Sequence, residues 1–428
     1  MGEMFLDSKF FKGNRNELSE LVESRSVILL NSNDEMPRNG DQFYSFRQSS
    51  DFYYLTGINQ EKSILLMCPD HTDVKMREIL SIRKPDKNLE LWEGDKLTVD
   101  EARNISGISN IKSLFEFESV FREYLLNCNN VYYPQTEFPK IIPEFPDRNL
   151  RFIQGLKKDW PNINFRKLSP FLNKLRLIKK PCEIDTIKRS CEITHKAFQR
   201  TLKVLEPGMM EFQVEAGITY EFMMNGIKSH AYHPIIASGE RAYVLHYTYN
   251  NRPCDDGDLL LMDFGSELNN YAADCSRTIP VNGRFSKRQK ECYEAVLRVF
   301  KKLKALYIPG NTINIINSYA NKWMEEEMIG LGLFTQFDVE NQLDDSPLFR
   351  KYFMHGTAHF IGLDVHDVGD KDVKFKKGMV LTCEPGIYIR DEKIGIRIEN
   401  DILIDEKPID LMDQIPIEVE EIELLMKK

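Results

Sequence analysis

Leu259-Leu-Leu-Met-Asp-Phe-Gly265 and Tyr271-Ala-Ala-Asp-Cys-Ser-Arg-Thr278 are two short apolar runs, each broken by one acid, Asp263 or Asp274. Their length and composition fit buried strands. A hairpin turning at Leu268-Asn269 would set position 263 directly opposite 274 and put two carboxylates on one face. The pattern recurs in Leu381-Thr-Cys-Glu-Pro-Gly386 and Gly395-Ile-Arg-Ile-Glu-Asn400, where a hairpin centred on Asp391-Glu392 sets Glu384 opposite Glu399. Like charges facing each other across a ladder repel, and carboxylates among apolar side chains cost more still unless a cation joins them. Something positive is expected between each pair.

The surroundings of the two pairs are also duplicated. A helix opened by Pro181 and Glu183, with Ile184, Ile187, Cys191, Phe198, Leu202 and Leu205 at a spacing near 3.6, should stop at Pro207-Gly208. The next, from Glu211, should stop at Asn225-Gly226. A helix from about Lys290 should likewise end at Pro309-Gly310, and its successor at Gly330. The two Pro-Gly pairs lie 102 residues apart and the two stopping glycines 104, which implies two copies of a helix-helix-strands unit of about a hundred residues. Upstream, β-type runs such as Ser26-Val-Ile-Leu-Leu30 and Ser63-Ile-Leu-Leu-Met67 alternate with helical stretches. The expected architecture is α/β (α+β): a small N-terminal α/β domain over 1–172, then a duplicated domain over 173–428.

With 428 residues the chain is too long for one compact core, and 42% apolar residues suffice for two. Lys plus Arg total 57 against 66 Asp plus Glu, a net charge of −9 without a basic block. Nucleic acid and anionic membrane are therefore unsuitable partners, since both are polyanions. The apolar runs fall far short of the roughly twenty residues of a membrane helix. The start, MGEMFLDSKFFKG, lacks the apolar centre of a signal peptide, and Leu6 breaks the myristoylation pattern. Eight cysteines without a CxxC pair read as reduced thiols of a cytoplasmic protein.

Three of the eight histidines fall in Met354-His-Gly-Thr-Ala-His-Phe-Ile-Gly-Leu-Asp-Val-His366, and His246 lies in the first copy. Beside orphan carboxylates such a cluster points to ligation or proton transfer. Four carboxylates and one imidazole make a mostly oxygen-donor set able to hold two divalent ions. Such hard ligands suit Mn²⁺, with Co²⁺ or Zn²⁺ as alternatives. The chemistry implied is metal-assisted hydrolysis.

Asp263, Asp274, His359, Glu384 and Glu399, in the contexts MDFG, AADCSRT, HGTAHFIGLDVHDVG, EPG and GIRIEND, resemble the dinuclear site of the pita-bread metallopeptidases, and most nearly that of the Xaa-Pro aminopeptidase (aminopeptidase P) branch. Phe46-Arg-Gln-Ser-Ser-Asp-Phe-Tyr-Tyr-Leu-Thr-Gly57 is similar to that branch's N-domain signature. The resemblance spans essentially the whole chain. It implies a pita-bread domain with internal pseudo-twofold duplication, and release of the N-terminal residue from peptides with proline in second position by a metal-bridging hydroxide. It also implies that Asp263 and Asp274 bind one ion, His359 and Glu384 the other, that Asp274 and Glu399 bridge both, and that Glu384 is the general acid/base. His246, His355 and His366 match histidines that position substrate, shuttle protons and shape the proline pocket. Arg397 matches an arginine beside the site and Tyr388 a nearby tyrosine. The N-terminal domain is expected to be non-catalytic, walling the cleft and packing against a partner subunit in a homodimer or higher oligomer.

The connection from Glu384 to Glu399 is shorter than in several relatives, where it reaches over the far end of the substrate. Three other readings share the fold. A prolidase would cut Xaa-Pro dipeptides with the same metals; a non-catalytic peptide- or histone-binding module would lose ligands; a creatinase-like enzyme would work without metal. The intact set of five disfavours the last two.

Overall fold

The computed structural model describes residues 6–135, 145–343 and 345–427, with the side chains of 87–89 set aside; the first five residues of the N-terminal stretch read above lie outside it. The chain divides into two compact units, Met1–Arg176 and Leu177–Lys428. The first contains a six-stranded mixed sheet in the order Asn110–Ser113, Glu78–Ile82, Ile64–Met67, Ser26–Asn31, Asn130–Tyr133, Asn164–Lys167. Its alternate residues Val27, Leu29, Leu66 and Val131 pack with Phe117, Phe121 and Ile153 from the helices Leu114–Asn127 and Arg148–Asp159.

The second unit carries both copies of the repeat. Its helices are Pro181–Val204 and Glu211–Met224 in the first copy, and Lys287–Lys304 and Ile313–Gly330 in the second. The same device closes each helix pair. Gly208 N–H donates to Cys254 O and Cys254 N–H to Met209 O, while Gly310 N–H donates to Phe375 O and Phe375 N–H to Asn311 O. The stopping signals differ in detail: Gly226 has φ +84°, but Gly330 ends its helix in ordinary geometry and Gly332 makes the left-handed turn at φ +75°.

The acid-bearing strands are Leu259–Phe264 and Val380–Cys383. Each follows a glycine at positive φ, Gly257 at +86° and Gly378 at +90°. Asp263 and Glu384 both lie six residues after that glycine, so they are equivalent positions in the two copies. Leu259–Phe264 is flanked by Ile235–Ser238 and Cys275–Pro280, and Val380–Cys383 pairs with Asn400–Leu403.

The expected register of the second hairpin holds: Cys383 faces Asn400 and Gly386 faces Arg397, which brackets Glu384 against Glu399. In the first hairpin Asp263 faces Ser276, not Asp274. The turn lies at Asn269-Asn270, both at positive φ, one residue beyond the position read from the sequence. Asparagine tolerates the left-handed region, and two in succession suit a two-residue hairpin turn. A one-residue move of the turn shifts the pairing by two, which keeps side chains on the same face. Asp274 therefore still meets Asp263.

Glu183, in the first turn of Pro181–Val204, is buried and accepts from Lys180 N–H at 2.8 Å and from Tyr271 Oη at 2.8 Å. Burial raises its carboxyl to about 7. An acid raised in the folded state contributes stability that is full below its unfolded pKa and is lost as pH rises through the folded one. From the ordinary 4.5 to about 7 the loss is on the order of 3 kcal/mol. Glu183→Gln should therefore gain on the parent protein by about that amount between pH 5 and pH 8 in denaturant titrations. A difference independent of pH would contradict the assignment.

Candidate metal centre

The site is assembled in the second unit from both hairpins and the segment before Val380–Cys383. His359 lies beside that strand, donating its N–H to Thr382 Oγ1 and accepting from Thr382 N–H at 2.9 Å. Its Nδ1 contacts Phe360 O at 3.1 Å, so the Nδ1–H tautomer leaves Nε2 free to act as a ligand. That Nε2 lies 3.4 Å from Asp274 Oδ2 and 3.8 Å from Glu384 Oε1. Donor atoms of Asp274, His359 and Glu399 all fall within 4.8 Å of one another. Asp263 joins them through Tyr232, whose hydroxyl lies 2.6 Å from Oδ1 of both Asp263 and Asp274. The Tyr232 hydroxyl is shared between the two carboxylates and ties them together.

The carboxylates are crowded beyond what the local positive charge offsets. Burial raises Glu384 to about 7, with Asp274 and Asp263 adding to the effect against His359 and Arg397. Burial likewise raises Asp274 and, well above the ordinary range, Glu399. Burial alone would lower His359, yet Asp274 and Glu384 outweigh it and raise the ring to about 9. Carboxylates raised in this way are stabilised by positive charge brought among them. This donor set, rich in oxygen and short of positive charge, fits divalent ions.

A directed chain of hydrogen bonds backs the cluster. Arg397 is buried and bonds Asp263 Oδ2 at 2.6 Å, Ser276 Oγ at 2.8 Å and Tyr388 Oη at 2.9 Å. Tyr388 Oη in turn lies 2.9 Å from His355 Nε2, and His355 Nδ1 lies 2.7 Å from Gly356 O. With each N–H or O–H donating onward, His355 is a neutral ring accepting at Nε2. Burial and then the charge of Arg397 lower it to about 4, in keeping with that form. Ser276 Oγ also donates to Glu399 Oε2 at 2.7 Å, and Arg277, fully buried, donates to the carbonyls of Ser276 and Glu399. The first hairpin thus fixes Glu399 on the second.

The structure brings together Asp263, Asp274, His355, His359, Glu384, Tyr388, Arg397 and Glu399, with the His366 ring 4.5 Å from that of His359. His246 is exposed, and its effect on the site is electrostatic, through His355. Ile235 faces Asp263 as Thr357 faces Glu384, which makes His233 the equivalent of His355. Tyr232 and Ser276 were not singled out from the sequence. Tyr232 precedes its strand in irregular backbone, and only its place between two histidines, His230 and His233, marks it.

The profile of Metallopeptidase family M24 matches residues 185–406, and that of the aminopeptidase P N-terminal domain matches residues 11–132. The chain is 34% identical to the Xaa-Pro aminopeptidase of Haemophilus influenzae over 98% of each chain, and 35% identical to that of Escherichia coli K12 over 97% of each.

The chain belongs to metallopeptidase family M24.

Solved aminopeptidase P structures share its fold. Aminopeptidase P from E. coli with the inhibitor Pro-Leu superposes with a TM-score of 0.87 at 32% identity, and the Pseudomonas aeruginosa aminopeptidase PepP with 0.88 at 30%, each covering 98% of both chains. The zinc-substituted E. coli enzyme in complex with product also matches, with a TM-score of 0.86 at 32% identity over 98% of both chains. The architecture is thus that of aminopeptidase P: an N-terminal α/β domain followed by a duplicated pita-bread domain.

Proposed function

We propose that this chain is a Xaa-Pro aminopeptidase, a hydrolase that releases the first residue from peptides carrying proline in second position. The observation that carries the reading is the convergence of Asp263, Asp274, His359, Glu384 and Glu399 on one buried cluster backed by Arg397, Tyr388 and His355. The names of its M24 relatives support the substrate class.

Asp263 and Asp274 would hold one divalent ion, His359 and Glu384 the other, with Asp274 and Glu399 shared; Mn²⁺ suits the donors best, ahead of Co²⁺ or Zn²⁺. When bound, the ions supply Lewis-acid polarisation of the scissile carbonyl and an acidified water. The chain's own groups handle the protons. Glu384, beside His359 in the cluster, would take the proton of the attacking water and return one to the leaving nitrogen. The nitrogen of a prolyl bond carries no hydrogen and leaves as a secondary amine, so it needs that proton. His355 and His366, with His246 at the rim, would flank the proline ring and orient the peptide, while Arg397, buried and bonded to Asp263, Ser276 and Tyr388, would hold the cluster behind them.

Read backbone to backbone, proline is a poor substrate because it has no N–H, so a built pocket should show as selectivity for it. With the Mn²⁺-loaded protein, Ala-Pro-Ala should be cut with the highest kcat/KM, Ala-Pro more slowly and Ala-Ala-Ala negligibly. The preference for the longer peptide follows from the short connection between Glu384 and Glu399, which removes one loop that could bring in an arginine for a free carboxylate, and from Arg397, which is buried and already bonded to Asp263, Ser276 and Tyr388. A best rate on Ala-Pro would identify a prolidase instead. Equal rates on Ala-Ala-Ala and Ala-Pro-Ala would remove the proline pocket altogether. The free cysteines fit a cytoplasmic setting, and no helix among the described residues is long and apolar enough to cross a membrane.

A further inference from the structure

His359 and His366 are joined by a short loop folded tightly on itself. Asp367 N–H donates back to Phe360 O at 2.9 Å, and Gly362 N–H to Asp364 O at 3.1 Å. The loop is also anchored from outside, by Ile361 N–H to Val380 O and Ala272 N–H to Gly362 O. Beneath it lies an ion pair, Lys179 Nζ to Asp367 Oδ2 at 3.0 Å, with both side chains 1% exposed. Lys179 is held by its own backbone, its N–H donating to Gly378 O at 2.8 Å. The loop closes over the pair so tightly that a Cβ on Gly362 would come within 2.3 Å of Asp367 Oδ2 and 2.9 Å of Lys179 Cε.

Withdrawing two charges from water is costly, and an apolar pair of equal volume usually serves stability as well or better. What the apolar pair lacks is direction. The Lys179–Asp367 bond fixes the residue next to His366 against a rigid point, and the loop's internal bond carries that constraint to Phe360, next to His359. We propose that Lys179 is a positioning residue of the peptidase reaction: paired with Asp367, it sets the loop between His359 and His366 and so the placement of His366 against the metal centre. This rests on the reading of His366 as a group that contacts substrate or moves protons.

The test uses the full chain loaded with Mn²⁺. Lys179→Met should keep two ions and a KM within about twofold, while kcat falls on the order of tenfold to a hundredfold, the usual cost of a misplaced group. The kcat–pH profile should move with it. Adding Lys179→Met to His366→Ala should cost little further, because the pair acts through that ring. In Lys179→Met with Asp367→Leu neither charge of the pair remains buried, so the melting temperature should recover while kcat stays low. That double variant also decides the matter if Lys179→Met alone does not fold. A double variant with full kcat, losses that simply multiply with His366→Ala, or failure of both variants to fold would mark the pair as structural and overturn the proposal. His366→Ala alone with unchanged kcat would instead remove the reading of His366, and the proposal with it.

Discussion

Chelation of the divalent ions is expected to reduce peptidase activity to background, and Mn²⁺ or Co²⁺ to restore it. The ions supply both the acidified water and the polarised carbonyl, and no side chain in the cluster replaces either. Glu399→Gln should lower metal occupancy as well as rate, because an anionic donor shared between the two ions becomes neutral. Loading should also depend on pH with a definite sign. Before an ion binds, His359 titrates at about 9 and Glu384 at about 7. Both must lose their protons to act as ligands, so binding releases protons and apparent affinity rises as pH increases from 6 to 8. Calorimetry in two buffers of different ionisation enthalpy should register that release near neutral pH. Full activity in a demonstrably metal-free sample would refute the dependence, and an affinity unchanged with pH would refute the protonation states.

Glu384→Gln is expected to cost about 10²- to 10⁴-fold in kcat, the range for loss of a positioned acid/base, with KM much less affected. Glutamine preserves the shape but neither exchanges a proton nor brings a negative charge. The role follows from position: Glu384 lies 3.8 Å from His359 Nε2 and opposite Glu399, at the cluster where the water would be activated. Metal analysis separates the two parts of the loss. A variant that keeps both ions yet has lost its rate isolates proton transfer, whereas loss of one ion per chain shows that ligation dominates. A kcat within tenfold of the parent protein would contradict the assignment of Glu384 as acid/base.

Much of the site was legible because a buried strand makes its acids conspicuous. Glu384 and Glu399 were paired correctly since the turn between them contains a single residue in the left-handed region, Lys393, with strands of equal length on either side. Asp263 and Asp274 were paired two residues out of register, because Asn269 and Asn270 are equally able to turn and composition does not say which pair will do so. The period-two geometry of strands made that error harmless to the shared face.

Long-range partners were not legible. Ser276 is one serine in a strand, and its bridge between Arg397 and Glu399 exists only once the two hairpins meet. Lys179 stands in a lysine-rich stretch that reads as a solvated boundary. Its 1% exposure depends on a loop nearly two hundred residues away. In the first unit two of six strands were evident from short apolar runs. The polar edge strands Asn110–Ser113 and Asn164–Lys167 carry too little hydrophobic pattern to stand out.

The central claim is that five side chains from two copies of one structural unit hold a pair of ions. Anomalous diffraction from crystals of the Mn²⁺-loaded protein, measured on both sides of the manganese edge, tests it most directly. The account predicts two peaks per chain, one between Asp263 and Asp274 and the other between His359 and Glu384, both in contact with Glu399. A single peak, or peaks away from these residues in a protein that is active in the same buffer, would contradict it.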